Sequence, residues 1–502
     1  MKVIAYDLGT GGVKASLYNE KMETLAKSFV EYSTNYAGRL HEQNIEDWWN
    51  GVATSTRKLL ADSSTSADEV RAVALSGHSL VSIPLDTNNS PLEMHVPIWS
   101  DGRAVDETQE FFKSIPYEEW YMTTGNGFPP ECYPVFKLMW LKKHKREIYD
   151  KTCKVAGSKD YINLLLTGNL CTDYSYASGS GVYDLRKQMY RKDFLRVANL
   201  KEDLFPQIVE SHSIVGYITD EAAKFIGLKS GTAVACGGVD NGCMALGAVG
   251  AEEKKIYLSL GSSSWVPVNS RKPVLDFKTK PYVFAHIEKD MYTSAYSIFA
   301  GGSSYRWIKD VISNGNTRDY EWLNAQAAMS PVGANGVIFN PSLAGGTTQD
   351  RSVNIKGGFI GLTLGVKQKD LIRAVMEGVA LNLKYSVDLL SQQTEISDEI
   401  LICGGGSKSD LWLSIFADVF NMKIRKTNVD QDAASLGAAA IAMRSIGLWQ
   451  DYHLIPHLHK LEKLTLPDKE NTEKYKKIQK KFLKVADMLA QLGDEFVEID
   501  NQ

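Results

Sequence analysis

Residues Ile256–Asn269 lie without a gap over residues Ile4–Leu17, 252 positions earlier in a chain of 502. Ile4 meets Ile256, Leu8 meets Leu260, Gly9 meets Gly261 and Thr10 meets Ser262. Each copy reads as an apolar strand, a turn of small residues and a second strand. In the first, Val13, Ala15 and Leu17 alternate with Lys14, Ser16 and Tyr18, which is strand spacing. A unit repeated at half-length points to duplication and two lobes of related design. Length agrees, because 502 residues exceed what one hydrophobic core organises. The lobe boundary is expected near residue 245, giving segments 1–245 and 246–502.

The first turn concentrates glycine (Gly9, Gly11, Gly12) beside Thr10 and Lys14. It is neither a Walker loop nor a dinucleotide fingerprint, since both of those open a helix. Successive glycine N–H groups can form a concave anion site without a helix terminus. Two such hairpins facing each other would grip a nucleotide triphosphate, with Thr10, Ser262 and Ser263 adding hydroxyls and Lys14 a charge. Asp7 at the entrance then suits Mg2+ beside the phosphates, whereas the second copy carries Ser259 at that place. The same glycines equally permit a plain tight hairpin.

A second acid, Asp240, sits in Gly237-Gly-Val-Asp-Asn-Gly242 after a buried strand. Phosphoryl transfer to a hydroxyl needs a carboxylate that orients the hydroxyl and accepts its proton. Asp240 is the candidate base and Asn241 its neighbour; the alternative is an Asp that caps the helix following it. Gly404-Gly-Gly-Ser407 follows a strand and opens a helix, a place where a flat base or ribose can lie on the backbone. The chain carries a net charge of -4 and 23% charged residues, which gives no reason to expect nucleic acid or an anionic membrane as partner. Six scattered cysteines without a C-x-x-C pair suggest free thiols. With no leader-like start and no apolar run of membrane length, a cytoplasmic enzyme is expected.

These pieces in this order resemble the FGGY family of carbohydrate kinases within the actin-like ATPase superfamily. Pro134 to His144 fits the first family signature, departing at Cys132, and Gly357 to Leu362 with Asp370 to Glu377 fits the second. The resemblance implies an α/β fold of two ribonuclease-H-like domains with ATP and sugar in the cleft between them. It implies Asp240 as catalytic base and Asp7 as the metal-associated acid. Phosphate contacts are implied at Gly9, Thr10, Gly11, Gly261, Ser262 and Ser263, and adenosine contacts at Gly404, Gly405, Gly406 and Ser407. Lys137, Trp140 and Glu377 are read as scaffold in spite of their place in the signatures.

The GG-x-DN and W-x-D-x-R forms resemble the xylulokinase-like group, so a small-molecule sugar, a pentulose such as xylulose, is the expected substrate. The sugar pocket is expected to draw on His78, Ser79, Trp99, Asp101, Asp240 and Asn241, with Trp99 equally suited to core packing. That group carries a Met-His pair where this chain has Ser79-Leu80. A polar contact to the sugar is therefore lost or moved, which keeps ribulose, a deoxy-ketose, a polyol or an aldonate as alternative substrates. A non-kinase actin-like ATPase switch is the rival from another class, and the GGVDN stretch argues against it. A homodimer is among the expected assemblies. Beyond Pro467, Tyr475, Ile478, Phe482, Val485, Leu489 and Leu492 recur at helical steps and predict an amphipathic helix packed on its own lobe.

Overall fold

The computed structural model describes residues 1–313 and 318–500. The opening alternation forms β1 (Lys2–Gly9) and β2 (Gly12–Asn19), paired antiparallel with Gly9 opposite Gly12, so that Thr10 and Gly11 make the turn. A Cβ on Gly12 would strike the carbonyl of Val30 on β3 (Thr24–Glu31), which fixes glycine there. Helix α1 (Ile45–Asp62) starts at Asn44, whose side chain accepts from the Glu46 N–H, and buries Trp48, Val52 and Leu59. The chain then enters β4 (Val70–Gly77), parallel to β1. Helices α2 (Pro134–His144), α3 (Ser158–Thr167) and the single turn α4 (Tyr174–Ala177) precede β5 (Ile214–Tyr217) and β6 (Ala233–Ala235). The first sheet runs β5-β6-β4-β1-β2-β3, with Gly238–Val239 pairing to the end of β4.

Helix α5 (Asp240–Val249) leads into the second half. There β7 (Ile256–Leu260), β8 (Ser264–Ser270), β9 (Tyr282–Ala285), β10 (Tyr292–Ile298), β11 (Glu399–Cys403), β12 (Lys423–Thr427) and β13 (Leu461–Thr465) form the second sheet. Its order is β9-β10-β8-β7-β11-β12-β13, and helices α6 (Gly302–Ser313), α7 (Gln368–Gln393) and α8 (Asp410–Phe420) lie between its strands in the chain. Without β9, the order and directions of β10-β8-β7-β11-β12 repeat those of β3-β2-β1-β4-β6, and both sheets end on an antiparallel edge strand, β5 coming before its neighbour in the chain and β13 after its own. The expected duplication is thus visible as topology.

A shared core joins the two sheets. Ala5, Ala72 and Ala74 of the first meet Tyr257, Leu401 and Cys403 of the second through α5 and α9 (Ala433–Ser445). The helices touch backbone to backbone. A Cβ on Gly247 would overlap the Ala433 carbonyl, and one on Gly437 would overlap the Cys243 carbonyl.

The C-terminal helix (Lys469–Asp500) packs on its own half, with Tyr475 and Phe482 each 1% exposed. Leu492 departs from the expected stripe, because it is exposed while Ala490 and Gly493 turn inward. At about 3.6 residues per turn Gly493, not Leu492, returns to the face of Tyr475, and there it lies against the Asn354 carbonyl. All six cysteines are free, and no helix among the described residues is long and apolar enough to cross a membrane.

Neither partner at the α5–α9 crossing can rotate away, since both are main chain. Gly247→Ala is expected to destabilise the protein by about 1–3 kcal/mol, read as a lower midpoint of urea unfolding. A loss below about 0.5 kcal/mol would show that the helices separate freely.

Candidate active site

Asp7 lies two residues before the end of β1 and three before Thr10, and Ser76 on the adjacent β4 donates to its Oδ1 at 2.8 Å. Burial raises the Asp7 carboxyl above its ordinary value, while the Ser76 hydrogen bond and the charge of Lys14, its cross-strand partner, pull it down. The turn itself is open. A Cβ on Gly11 would meet no atom within 4 Å, and one on Gly9 only the Gly12 carbonyl of its own hairpin at 3.6 Å. Gln43 donates to the Thr10 carbonyl at 2.7 Å and in turn accepts from the Trp48 indole at 3.0 Å, so the turn is fixed from α1. Trp99 donates its indole N–H to the Thr10 hydroxyl at 2.9 Å and leans on Phe128. Trp99 is thereby tied to the glycine turn.

The second hairpin is held differently. The Gly302 and Ser303 N–H groups donate to the carbonyls of Gly261 (2.8 Å) and Ser262 (3.1 Å), and Ser262 and Ser263 remain exposed. In the third glycine loop, Gly404 (φ 96°) and Gly406 are required by contact with Leu260, whereas Gly405 is open. Asp430 accepts from the Gly404 N–H at 2.7 Å and from the Ser407 hydroxyl at 3.3 Å. Lys14 donates to the Gln431 carbonyl at 2.9 Å, and Lys27 pairs with Asp432, so β2 and β3 are clasped to the start of α9.

Asp240 is the first residue of α5, partly exposed, with the Asn241 N–H donating to its Oδ1 at 2.8 Å. Its carboxyl is pushed up from 3.8 to about 7 by desolvation, with the nearby charge of Asp7 adding to the effect. A carboxylate near neutrality is matched to accepting and releasing a proton. Asn241 is partly exposed beside it, as is Ser79 in the loop after β4.

Three of the residues expected to touch a ligand are buried. His78 is 1% exposed; its Nδ1 meets the Leu8 carbonyl at 3.1 Å and its ring stands edge-on to Trp48. Burial lowers its pKa to about 4, so the ring is neutral, and its Nε2 has no partner among the described residues. Asp101 is fully buried, and its oxygens are taken by Arg103 Nε (2.8 Å), an Arg103 terminal nitrogen (2.7 Å) and the His41 N–H (2.7 Å). It shapes the loop carrying Trp99. Ser407 is buried and engaged by Asp430, so it braces the loop from behind.

Sequence reasoning missed Gln43 and Asp430. The second left a signal, because Val239-Asp240 with Leu246-Gly247 recurs 190 residues later as Val429-Asp430 with Leu436-Gly437. Lys137, read as scaffold, is buried and donates to the carbonyls of Leu80 (3.0 Å) and Ile98 (2.6 Å). It joins the loop of Ser79 to that of Trp99. Glu377 accepts from Arg373 (2.7 Å) and the Tyr475 hydroxyl (2.7 Å), pinning the C-terminal helix.

Among the described residues no cluster of three or more His, Cys, Asp or Glu side chains is arranged to hold a metal. A single carboxylate beside an open phosphate-type turn nevertheless fits Mg2+, which binds through one or two carboxylates and completes its shell with water and phosphate oxygens.

Known proteins resemble the chain over its whole length. The N-terminal domain of the FGGY family of carbohydrate kinases matches residues 2–247, and the C-terminal domain of that family matches residues 256–446. The xylulose kinase of Bacillus subtilis (strain 168) is 29% identical over 94% of this chain and 94% of its own. The gluconokinase of Bacillus licheniformis is 25% identical over 99% of this chain and 98% of its own. A ligand-bound xylulose kinase from Lactobacillus acidophilus shares the fold, with a TM-score of 0.91 at 24% identity over 99% of both chains.

The raised Asp240 carboxyl also has a stability consequence. Its folded value lies above its unfolded one, so the stability it contributes is complete below about pH 4 and is lost as pH rises toward 7. Asp240→Asn removes that loss. The variant is expected to unfold at higher urea than the parent at pH 8, by about 1–3 kcal/mol, with the gain fading toward pH 4. An equal or lower midpoint at pH 8 would contradict the desolvated carboxyl.

Proposed function

Because this chain belongs to the FGGY family of carbohydrate kinases, we propose that it transfers the γ-phosphoryl group of ATP to a primary hydroxyl of a pentulose of the xylulose type. The observation that carries the reading is Asp240, a carboxyl near neutrality at a helix start, electrostatically coupled to Asp7 beside an open glycine turn. In the proposed reaction the sugar hydroxyl oxygen forms a bond to the γ-phosphorus. The bond from that phosphorus to the β–γ bridging oxygen breaks, ADP leaves, and the hydroxyl proton passes to Asp240. The start of α5 and the Asn241 N–H favour the ionised carboxylate that must receive it.

The backbone N–H groups around Gly9–Gly11 and the hydroxyls of Ser262 and Ser263 are assigned to the phosphates. The open face of Gly405 is assigned to the nucleoside, with Gly404 and Gly406 fixing the loop behind it. Asp7 is assigned to Mg2+, which when bound neutralises phosphate charge. Ser79, Trp99 and Asn241 are assigned to the sugar. Free thiols throughout fit a reducing cytoplasm. Gluconokinases among the relatives, together with Leu80 in place of a His, support an aldonate as the second reading.

Sugar-stimulated ADP release over pentuloses, hexuloses, polyols and aldonates separates the two readings, with the highest kcat/KM expected for a pentulose. Asp240→Asn is expected to lower kcat by at least about 100-fold. In the parent enzyme kcat/KM for the sugar is expected to rise with pH and reach half its plateau near pH 7, since only the ionised carboxylate accepts the proton. Retained activity in the variant, or a profile flat down to pH 5, would exclude Asp240 as base. Asp7→Asn is expected to raise the Mg2+ concentration for half-maximal rate by about tenfold or more, and an unchanged requirement would remove Asp7 from the metal.

A further inference from the structure

The loop bearing Asp240 and the loop bearing Ser79 leave different strands, yet both are held by neighbouring side chains of one helical turn. That turn is α4 (Tyr174–Ala177), and Asp173 caps it by accepting from the N–H groups of Ser175 (3.0 Å) and Tyr176 (3.3 Å). The Ser175 hydroxyl donates to Asp173 and accepts from the Val239 N–H at 3.0 Å, the peptide group next to Asp240. The Tyr176 hydroxyl donates to the His78 carbonyl at 3.0 Å, immediately before Ser79, and accepts from the Ser158 N–H at 2.9 Å.

Asp173 is fully buried, and Lys159, also fully buried, stands between two acids, its Nζ 3.1 Å from Oδ1 of Asp173 and 2.6 Å from Oδ1 of buried Asp160. Lys159 also donates to the Cys236 carbonyl at 3.2 Å, at the base of the same turn. Ser211 adds a donor to Asp173 (2.8 Å) and accepts from the Gly237 N–H (3.0 Å). A buried charge left without a partner is strongly destabilising, and Asp173 has donors on both of its oxygens.

We propose that Asp173, paired with Lys159, is the positioning residue of the active site, setting the catalytic carboxylate through Ser175 and the sugar-binding loop through Tyr176. The proposal rests on the reading of Asp240 as base. Its consequence is a division of labour between adjacent residues. Ser175 governs proton acceptance at Asp240, and Tyr176 governs the hold on the sugar.

The test is steady-state kinetics of the full chain with the sugar that gives the highest kcat/KM, using Ser175→Ala, Ser175→Thr and Tyr176→Phe. Ser175→Ala is expected to lower kcat 10- to 100-fold, leave KM for the sugar within threefold and move the acid limb of the pH profile by half a unit or more. Ser175→Thr keeps the hydroxyl and is expected to return kcat to within threefold of the parent. Tyr176→Phe is expected to raise KM for the sugar fivefold or more with kcat within threefold. Parent-like kinetics in Ser175→Ala and Tyr176→Phe, or an equal fall of kcat in both with KM and the pH limb unchanged, would overturn the proposal, the second pattern reporting only a lost folded fraction. Asp240→Asn run in parallel separates the two readings. If it stays active the base assignment fails, and if it is inactive while Ser175→Ala and Tyr176→Phe behave as the parent, only the positioning role fails.

Discussion

Two glycines set the distance between the halves of this protein. Gly247 on α5 and Gly437 on α9 let the helices meet main chain against main chain, where any Cβ would overlap a carbonyl. Close contact of this kind has little give, because packed interiors resist even a methylene of extra volume. The residues just before and at the helix starts are then brought to the same side: Asp240 opens α5, and Asp430 to Asp432 lead into α9. Lys14 and Lys27 reach from the first sheet to that second helix start and close the arrangement. The glycine turns at Thr10 and Ser262 inherit their relation from this crossing, since β1 and β7 flank the shared core on either side.

Within that frame the chemistry depends on one desolvated carboxylate. Asp240 loses hydration, feels the charge of Asp7 and recovers only part of the loss through one backbone N–H and the helix start. The protein accepts a destabilised acid at neutral pH, as proteins do where a proton must move. Around it the buried groups do the opposite. Lys159, Asp173, Arg103 and Asp101 are charged, sealed from water and compensated by near neighbours. The destabilised acid is the residue proposed as base, and buried ion pairs hold the loops on either side.

Much of this was legible in the sequence, and what was not has a physical cause. The hairpin at Thr10, its copy at Ser262 and the C-terminal helix at Lys469–Asp500 follow from periodicity and glycine placement, which are local. The second acid after a buried strand was equally plain. The surroundings of His78 and Asp101 were not legible, because a polar residue in a loop next to a site looks the same whether it faces a ligand or a carbonyl. Only the fold shows that His78 lies under Leu8 and Trp48, and that Asp101 is spent on Arg103 and His41. Gln43 and Ser175 act across long sequence separations, on Thr10 and Val239, and leave no periodic trace.

Asp430 is the instructive omission, because it is the counterpart of Asp240 in the repeat spaced by 190 residues. Both carboxylates sit in a turn that follows a parallel strand and leads into a helix of the crossing. Asp240 keeps one oxygen on its own backbone neighbour, and its carboxyl titrates near neutrality. Asp430 turns toward the third glycine loop, where the Gly404 N–H and the Ser407 hydroxyl satisfy it. The other repeat diverges in the same sense, with Asp7 in the first hairpin and Ser259 in the second. Duplication supplied two equivalent sets of loops. The acids proposed to react remain in one set, while in the other the acid braces a loop or a hydroxyl stands in its place. An active site made from two similar halves needs that asymmetry, since two unpaired carboxylates facing the same phosphates from both sides would repel what the glycine turns are shaped to hold.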